Sequence, residues 1–197
     1  MDLFLISVDA DSGRPHFGPN LAFTLALAEL LDQIRAGRGA PRDQDAVHGW
    51  IAGRGPHCIE AYLAAAHRSG CLKVAARRAD GAPARKRIQV ADRRQLDDAS
   101  GRLIRVLGAP HSPTEEDLTF LVLASEIGRA QAHLRGFKHR EHRRRLDELV
   151  KWVTEYDKRQ SALQTALRQG LEAVRALAAR MPFTPSSDAG RLTGDAP

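Results

Sequence analysis

The spacing of the apolar residues is the feature that most constrains the fold of this chain. Leu, Ala, Val and Ile recur at intervals of three and four residues, which is the period of one face of an α-helix. Apolar residues make up 43% of the sequence but aromatic residues only 5%, so aliphatic side chains must build the core. The 197 residues suffice for one such core. We therefore expect an all-α chain: a single, mostly helical globular domain over residues 1–181.

Gly, Pro and capping residues set the expected limits of each element. The predicted elements are Leu3–Val8 as a strand or a helix end, a mostly buried helix over Leu21–Ala36, an exposed connection over Gly37–Val47, a helix over Cys58–Ser69 with Pro56 in its first turn, a helix from Asp92 to Leu107, a helix capped by Ser112 and running through Leu118–Ala132, a break at Gly136, and one long helix carrying Leu146 to Leu177. The last segment, Pro182–Pro197, is rich in Pro, Ser, Gly and Asp and is expected to be a disordered tail.

One segment departs from the helical pattern. Cys71–Ala76 and Arg87–Ala91 flank Asp80-Gly81, a residue pair that favours a tight hairpin turn. The sequence therefore predicts one β-hairpin at about residues 71–91, projecting from the helical domain.

The positive charge of the chain is concentrated in this same segment. The formal net charge is +6, and residues 68–94 alone hold nine Lys or Arg against two Asp, a local balance of +7. The predicted basic hairpin surface consists of Lys73, Arg77, Arg78, Arg85, Lys86 and Arg87. A second basic stretch, from Arg129 to Arg145, is expected to be the solvated face of a helix.

Three kinds of partner suit a projecting basic hairpin. Anionic lipid headgroups are the first, since juxtamembrane cations are attracted to an anionic leaflet. Nucleic acid is the alternative, because a helix followed by a basic hairpin also describes a winged helix and the sequence pI is about 9.9. A second copy of the chain is the third, in which case the hairpin is a purely structural contact within a homo-oligomer.

No enzyme motif is present in the sequence. Gly53-Arg-Gly55 lacks the third glycine of a dinucleotide fingerprint, and no nucleophile elbow or phosphate-binding loop occurs. Cys58 and Cys71 have histidines nearby but are expected to be buried small hydrophobes, and their low number suits a reducing cytosol. We predict no catalytic residue and no cofactor.

A metal site is not predicted either. His139 and His142 lie three residues apart, with His133 upstream, but the cations between and beside them would oppose a divalent ion. These histidines are expected to face solvent.

The order of several short motifs resembles the Golgi phosphoprotein 3 family (the GPP34-type domain), most closely its bacterial, actinobacterial-like members. The motifs are Asp9-Ala-Asp-Ser-Gly13, Ala26-Leu-Ala-Glu-Leu30, Trp50-Ile51, Leu63 to Ser69 leading into Gly70-Cys71-Leu72, Val90-Ala91-Asp92, and Leu118 to Ala130. The resemblance covers most of the chain up to about residue 155.

This resemblance implies a non-catalytic, peripheral membrane protein of the cytoplasm that recognises phosphatidylinositol 4-phosphate. It also implies a hairpin available for self-association and, in eukaryotic members, the capture of client glycosyltransferases by their cytosolic tails.

The family's phosphate pocket is carried over residue by residue. In the family this pocket uses an aromatic residue before the first long helix, and Phe17 is the corresponding candidate in this sequence. The pocket also uses three arginines, and counting without gaps places Phe23, Pro56 and Ile59 at their positions. Arg14, Arg54 and His57 lie nearby in sequence and are the candidate substitutes. The predicted lipid-phosphate site is therefore Arg14, Phe17, Arg54 and His57.

Overall fold

The computed structural model describes residues 1–8, 19–77, 85–155 and 161–181. Within these ranges the elements are α1 (Asp2–Leu5), α2 (Pro19–Arg35), α3 (Gln44–Arg68), β1 (Leu72–Arg77), β2 (Arg85–Val90), α4 (Arg93–Gly108), α5 (Glu115–Glu126), α6 (Arg129–His133), a 3-10 turn (Phe137–His139), α7 (Arg140–Glu155) and α8 (Ala162–Arg180). The prediction of a mostly helical chain with one hairpin is confirmed. The predicted tail at 182–197 lies outside the described residues.

Helix α2 lies at the centre of the fold. It packs against α3 and against α8, and the side chains of Leu25, Ala26 and Leu27 are fully buried. A helix that is apolar on most sides is stable only when other elements cover it. The expectation that this helix is buried on most sides is confirmed.

Two glycines allow the neighbouring helices to approach α2 closely. A Cβ atom at Gly55 of α3 would lie 2.8 Å from Cε1 of Phe23, and closer still to its Cδ1. A Cβ atom at Gly170 of α8 would lie 2.8 Å from Cδ2 of Leu27, and closer to its Cδ1. Phe23 and Leu27 are one turn apart on α2. The two glycines therefore allow adjacent turns of α2 to pack closely against α3 and α8.

Substituting Gly55 tests this close contact. We expect Gly55→Ala to lower the free energy of unfolding by about 1–3 kcal/mol, because the added methyl group overlaps a rigid aromatic ring in a packed core. Gly53 lies on the same helix and is exposed, and a Cβ atom added there would have no neighbouring atom within 4 Å. Gly53→Ala should therefore raise the free energy of unfolding by about 0.5–1 kcal/mol. Urea unfolding followed by circular dichroism measures both. Equal stability of the two variants would contradict the contact.

Helix α5 is the second buried element. Its seven residues from Leu118 to Ala124 are all buried, including Thr119, whose hydroxyl donates to the Glu115 carbonyl oxygen at 2.7 Å. Helices α4 and α7 contact each other, and they cover α1 and α5 respectively. The amphipathic helices therefore form the outer layer over an apolar centre.

Arg102 of α4 connects three elements. Its guanidinium donates to Asp2 of α1 at 2.9 Å and to Glu116 and Asp117 of α5 at 2.8 Å each. The same group lies 4.8 Å from the ring centroid of Phe120. Burial raises the pKa of Asp117, but hydrogen bonds from Arg102 and from Thr114 lower it by more, so the net pKa is below the ordinary value.

The Arg102 cluster gives the protein a predicted acid sensitivity. The pKa of Asp117 is lower in the folded protein than in the unfolded chain. The ionised carboxylate therefore stabilises the folded state at any pH above its unfolded pKa, and this contribution is lost as the pH falls through its folded pKa. We expect Arg102→Met to lower the free energy of unfolding near neutral pH by about 2 kcal/mol. The variant should also lose less stability than the wild type between about pH 5 and about pH 3. Arg105→Met, on the exposed face of α4, is the control. Parallel pH profiles for wild type and Arg102→Met would refute the assignment.

Helix α3 is longer than the sequence predicted. It begins at Gln44, with Asp43 accepting a hydrogen bond from the Ala46 N–H at 2.8 Å, and it continues through Pro56 to Arg68. The prediction that a separate helix begins near Pro56 is wrong. The buried residues of α3 continue at helical spacing on both sides of Pro56, and their packing outweighs the backbone hydrogen bond that proline removes.

Three other boundaries differ from the predictions. The cap of α5 is Thr114 rather than Ser112, since the Thr114 hydroxyl accepts from the Asp117 N–H at 3.1 Å. Helix α5 ends at Glu126, and Gly128, with φ of 70°, separates it from α6. The predicted single helix from Leu146 to Leu177 is two helices, because Ser161 and Gln164 form a capping box that begins α8. The segment Leu3–Val8, for which the sequence allows a strand or a helix end, contains the end of α1.

Candidate functional site

The base of the hairpin is firmly attached to the helical domain. The N–H groups of Ala91 and Asp92 both donate to the Cys71 carbonyl oxygen, at 2.8 and 3.2 Å. The Leu72 carbonyl oxygen lies 3.1 Å from Nδ1 of His67 on α3. Asp92 also caps α4, because its carboxylate accepts from the Arg94 N–H at 2.9 Å. The hairpin is therefore held between the end of α3 and the beginning of α4.

The strand register divides the basic residues between two faces. Strands β1 and β2 are antiparallel and pair Lys73 with Gln89, Ala75 with Arg87, and Arg77 with Arg85. Paired residues share a face, and alternate residues of a strand share a face as well. By this rule four basic positions share one face of the hairpin: Lys73, Arg77, Arg85 and Arg87. We call it the cationic face.

Lys86 belongs to the opposite face. It pairs with Ala76, and the other two pairs on that face are Val74 with Ile88 and Leu72 with Val90. Leu72 is buried, and Ile88 and Val90 are half-buried. The hairpin is thus amphipathic. Arg78 and the predicted turn at Asp80-Gly81 lie outside the described residues.

The register pairs two positions of like charge on the cationic face. The register places Arg77 directly opposite Arg85, and like charges in direct cross-strand pairs are destabilising. Lys73, at the base of this face, is exposed. An anion between like charges at such a spacing reduces their mutual repulsion.

The candidate lipid-phosphate residues have different surroundings. Arg54 and His57 lie three residues apart on α3, and His57 is exposed. Arg54 donates from Nε to Glu29 of α2 at 2.5 Å and from Nη2 to the same carboxylate at 3.1 Å. These hydrogen bonds, and the charge of Glu29, raise the pKa of Arg54. Arg14 and Phe17 lie outside the described residues.

Glu29 neutralises Arg54 but does not use every donor of the guanidinium. The two hydrogen bonds involve Nε and Nη2, so Nη1 is not engaged by Glu29. The positions counted from the family resemblance hold no cation: Phe23 is buried against Gly55, Ile59 is half-buried, and Pro56 is exposed. A phosphate at this place would share Arg54 with Glu29.

Cys58 and Tyr62, beside the Glu29–Arg54 pair, both have a raised pKa. Burial, and then the charge of Glu29, raise the pKa of the Cys58 thiol to about 11. The same two causes raise the pKa of Tyr62 above its ordinary value. Burial also raises the pKa of Cys71. The prediction that both cysteines are buried is confirmed.

The histidines of the second basic stretch are half-buried rather than solvent-facing. The His139 and His142 ring centroids are 5.7 Å apart, and the Nδ1 atoms of both are buried without a hydrogen-bond partner. His133 lies apart from them, with Nε2 3.3 Å from the Ile6 carbonyl oxygen. No group of three or more His, Cys, Asp or Glu side chains among the described residues is arranged to hold a metal ion.

Comparison with known proteins gives a match to one family model. A family model described as Golgi phosphoprotein 3 (GPP34) matches residues 26–174, from the middle of α2 to α8. The chain belongs to the Golgi phosphoprotein 3 family. Neither the search of curated proteins nor that of solved structures found a match.

The matched region of this Golgi phosphoprotein 3 family member includes the hairpin, Glu29, Arg54 and His57, whereas Arg14 and Phe17 precede it. None of the helices that the structure describes is long and apolar enough to cross a membrane.

Two features of the site differ from the sequence-based expectation. The predicted cluster of hairpin cations divides between two faces, and alternation along the strand already separates Lys86 from Arg85 and Arg87. The partner of Arg54 lies 25 residues away on another helix, and no local pattern indicates that pair.

Proposed function

We propose that this protein is a non-catalytic adaptor that attaches peripherally to anionic membranes through the cationic face of its hairpin. The observation that carries the proposal is the strand register, which brings Arg77, Arg85 and Arg87 together on one face with Lys73. Membership of the Golgi phosphoprotein 3 family supports an adaptor role of this general kind.

The size of the charge effect is adequate for reversible attachment. One cation near an anionic leaflet contributes about 1 kcal/mol, so four contribute on the order of 4 kcal/mol at low salt. Salt reduces this attraction because the Debye length is only about 8 Å at physiological ionic strength. Such a protein binds and releases its membrane as the local lipid charge and ionic strength change.

Alanine substitutions on each of the two faces of the hairpin test the proposal. We expect Arg85→Ala with Arg87→Ala to weaken sedimentation with vesicles of phosphatidylcholine and phosphatidylserine by roughly 30-fold, since two cations are removed from one face. Lys86→Ala, on the opposite face, is the matched control and should change binding by less than either single arginine substitution. Equal losses for Lys86→Ala and the arginine variants would refute the cationic face.

The same variants distinguish the other partners. A gel shift with nucleic acid at matched salt shows whether wild type prefers that polyanion, and a clear preference for it over vesicles would overturn the membrane proposal. Self-association through the hairpin and binding of a client protein stay predictions. Light scattering on wild type and on the hairpin variants measures the first of these.

Headgroup selectivity is the finer part of the proposal, and it concerns Arg54 and His57. A phosphate monoester is held best by fixed, charge-assisted donors. Arg54 is oriented by Glu29 and keeps Nη1 free of that carboxylate, and His57 is exposed one turn further along α3. We propose phosphatidylinositol 4-phosphate as the preferred headgroup at this place, with Arg14 and Phe17 as the other candidate contacts.

Removing Arg54 tests headgroup selectivity apart from general charge attraction. We expect Arg54→Gln to abolish any preference for phosphatidylinositol 4-phosphate vesicles over phosphatidylserine vesicles of equal surface charge, while binding to the latter persists. Glu29→Gln should increase the preference by several-fold, because it releases Arg54 from a competing carboxylate. The double variant leaves no unpaired charge and controls for folding. Wild-type selectivity in Arg54→Gln would refute this site.

A further inference from the structure

Phe137 is the most exposed of the large apolar side chains in the part of the chain that the structure describes. It is 85% exposed, whereas Met1, Trp152 and Met181 are all below 50%. Phe137 begins the 3-10 turn between α6 and α7, and three exposed cations surround it in sequence: Arg135, Lys138 and Arg140. An aromatic side chain at such a position contributes nothing to the core.

The backbone holds Phe137 outward. Gly136 has φ of 98° and ψ of 163°, a conformation that is essentially restricted to glycine. The His139 N–H donates to the Gly136 carbonyl oxygen at 3.3 Å, and the Arg140 N–H donates to the Phe137 carbonyl oxygen. The turn is therefore defined by its own hydrogen bonds, and it presents the ring to the surroundings.

The cations of this turn are not neutralised by carboxylates. Arg135, Lys138 and Arg140 form no ion pair within the described residues, although Arg144 further along α7 pairs with Glu148. The local field is positive: the pKa of His139 is lowered by burial and then by the nearby charges of Lys138, His142 and Arg143. The predicted solvated helix face of residues 129–145 thus includes a separate turn that combines an exposed ring with unpaired cations.

The turn and the hairpin lie at opposite ends of α4. The hairpin joins the beginning of α4 through Asp92. Arg145 of α7 donates to the carbonyl oxygens of Ala109 and His111, just beyond the end of α4, and so places the start of α7 there. A helix of 16 residues is about 24 Å long. A single small anion cannot bridge that separation, but an extended anionic surface can contact both ends.

We propose that residues 135–140 form a second membrane contact, in which Phe137 enters the interface of an anionic bilayer and Arg135, Lys138 and Arg140 lie among the headgroups. An apolar ring bordered by cations is the composition that favours interfacial binding. The inference rests on the proposed membrane attachment and adds to it a second contact, near the other end of α4 from the hairpin. Two linked contacts bind more tightly than either alone, because the second forms within the same complex.

The test uses the full chain and vesicles of phosphatidylcholine and phosphatidylserine. We expect Phe137→Ser to weaken vesicle binding by roughly five- to tenfold, through loss of the buried ring. Phe137→Trp should retain binding and add fluorescence that brominated phosphatidylcholine quenches, measured as the difference from wild type, which already contains Trp50 and Trp152. Met181→Ser, which removes an exposed apolar side chain at the end of α8, is the matched control and should bind like wild type.

Each outcome separates this inference from the proposed function. If Phe137→Ser binds like wild type while the hairpin variant loses binding, the second contact is wrong and the proposed function stands. If wild type binds no vesicle, both are wrong. If Phe137→Ser binds vesicles normally but loses binding to single-stranded nucleic acid, the ring stacks on bases and the lipid assignment is overturned. Unquenched Phe137→Trp fluorescence on bound vesicles would also overturn it.

Discussion

The close approach of α2 to α3 and α8 is the contact on which the rest of the structure depends. Gly55 and Gly170 leave room for Phe23 and Leu27, so three long helices share one tightly packed interior. Interiors at this density transmit displacements instead of absorbing them. The end of α3 positions the hairpin, and the hairpin in turn begins α4. A shift between α2 and α3 would therefore move the surface to which we assign membrane binding.

The charges of the protein have two distinct uses. Those of Arg102 and Arg54 are satisfied internally, by carboxylates on neighbouring helices, and they hold elements together. The positions on the cationic face of the hairpin include two arginines directly opposite each other, and we assign this face to binding. Arg102 thus serves stability, the hairpin arginines are assigned to binding, and Arg54 is proposed to serve both.

Much of the fold was predictable because helical periodicity is a local property. Helix α4, with its Asp92 cap, and the burial of α2 follow from residues a few positions apart. The errors arose where a local signal competed with packing. Pro56 suggested a helix start, but buried residues on both sides of it keep α3 continuous. The apolar pattern running from Leu146 to Leu177 concealed a second helix start at Ser161, which a capping box marks.

The sequence by itself determined the helical class, the basic hairpin, and the Golgi phosphoprotein 3 family, because composition, periodicity and motif order are properties of the chain alone. Only the tertiary structure decided which charges act together. Glu29 and Arg54 are brought together by the packing of α2 on α3, and Arg102 of α4 is brought to the carboxylates of Asp2 and Asp117. The strand register also decided that Lys73 and Arg77 of β1 share a face with Arg85 and Arg87 of β2, since a shift of one residue would pair them with the other set.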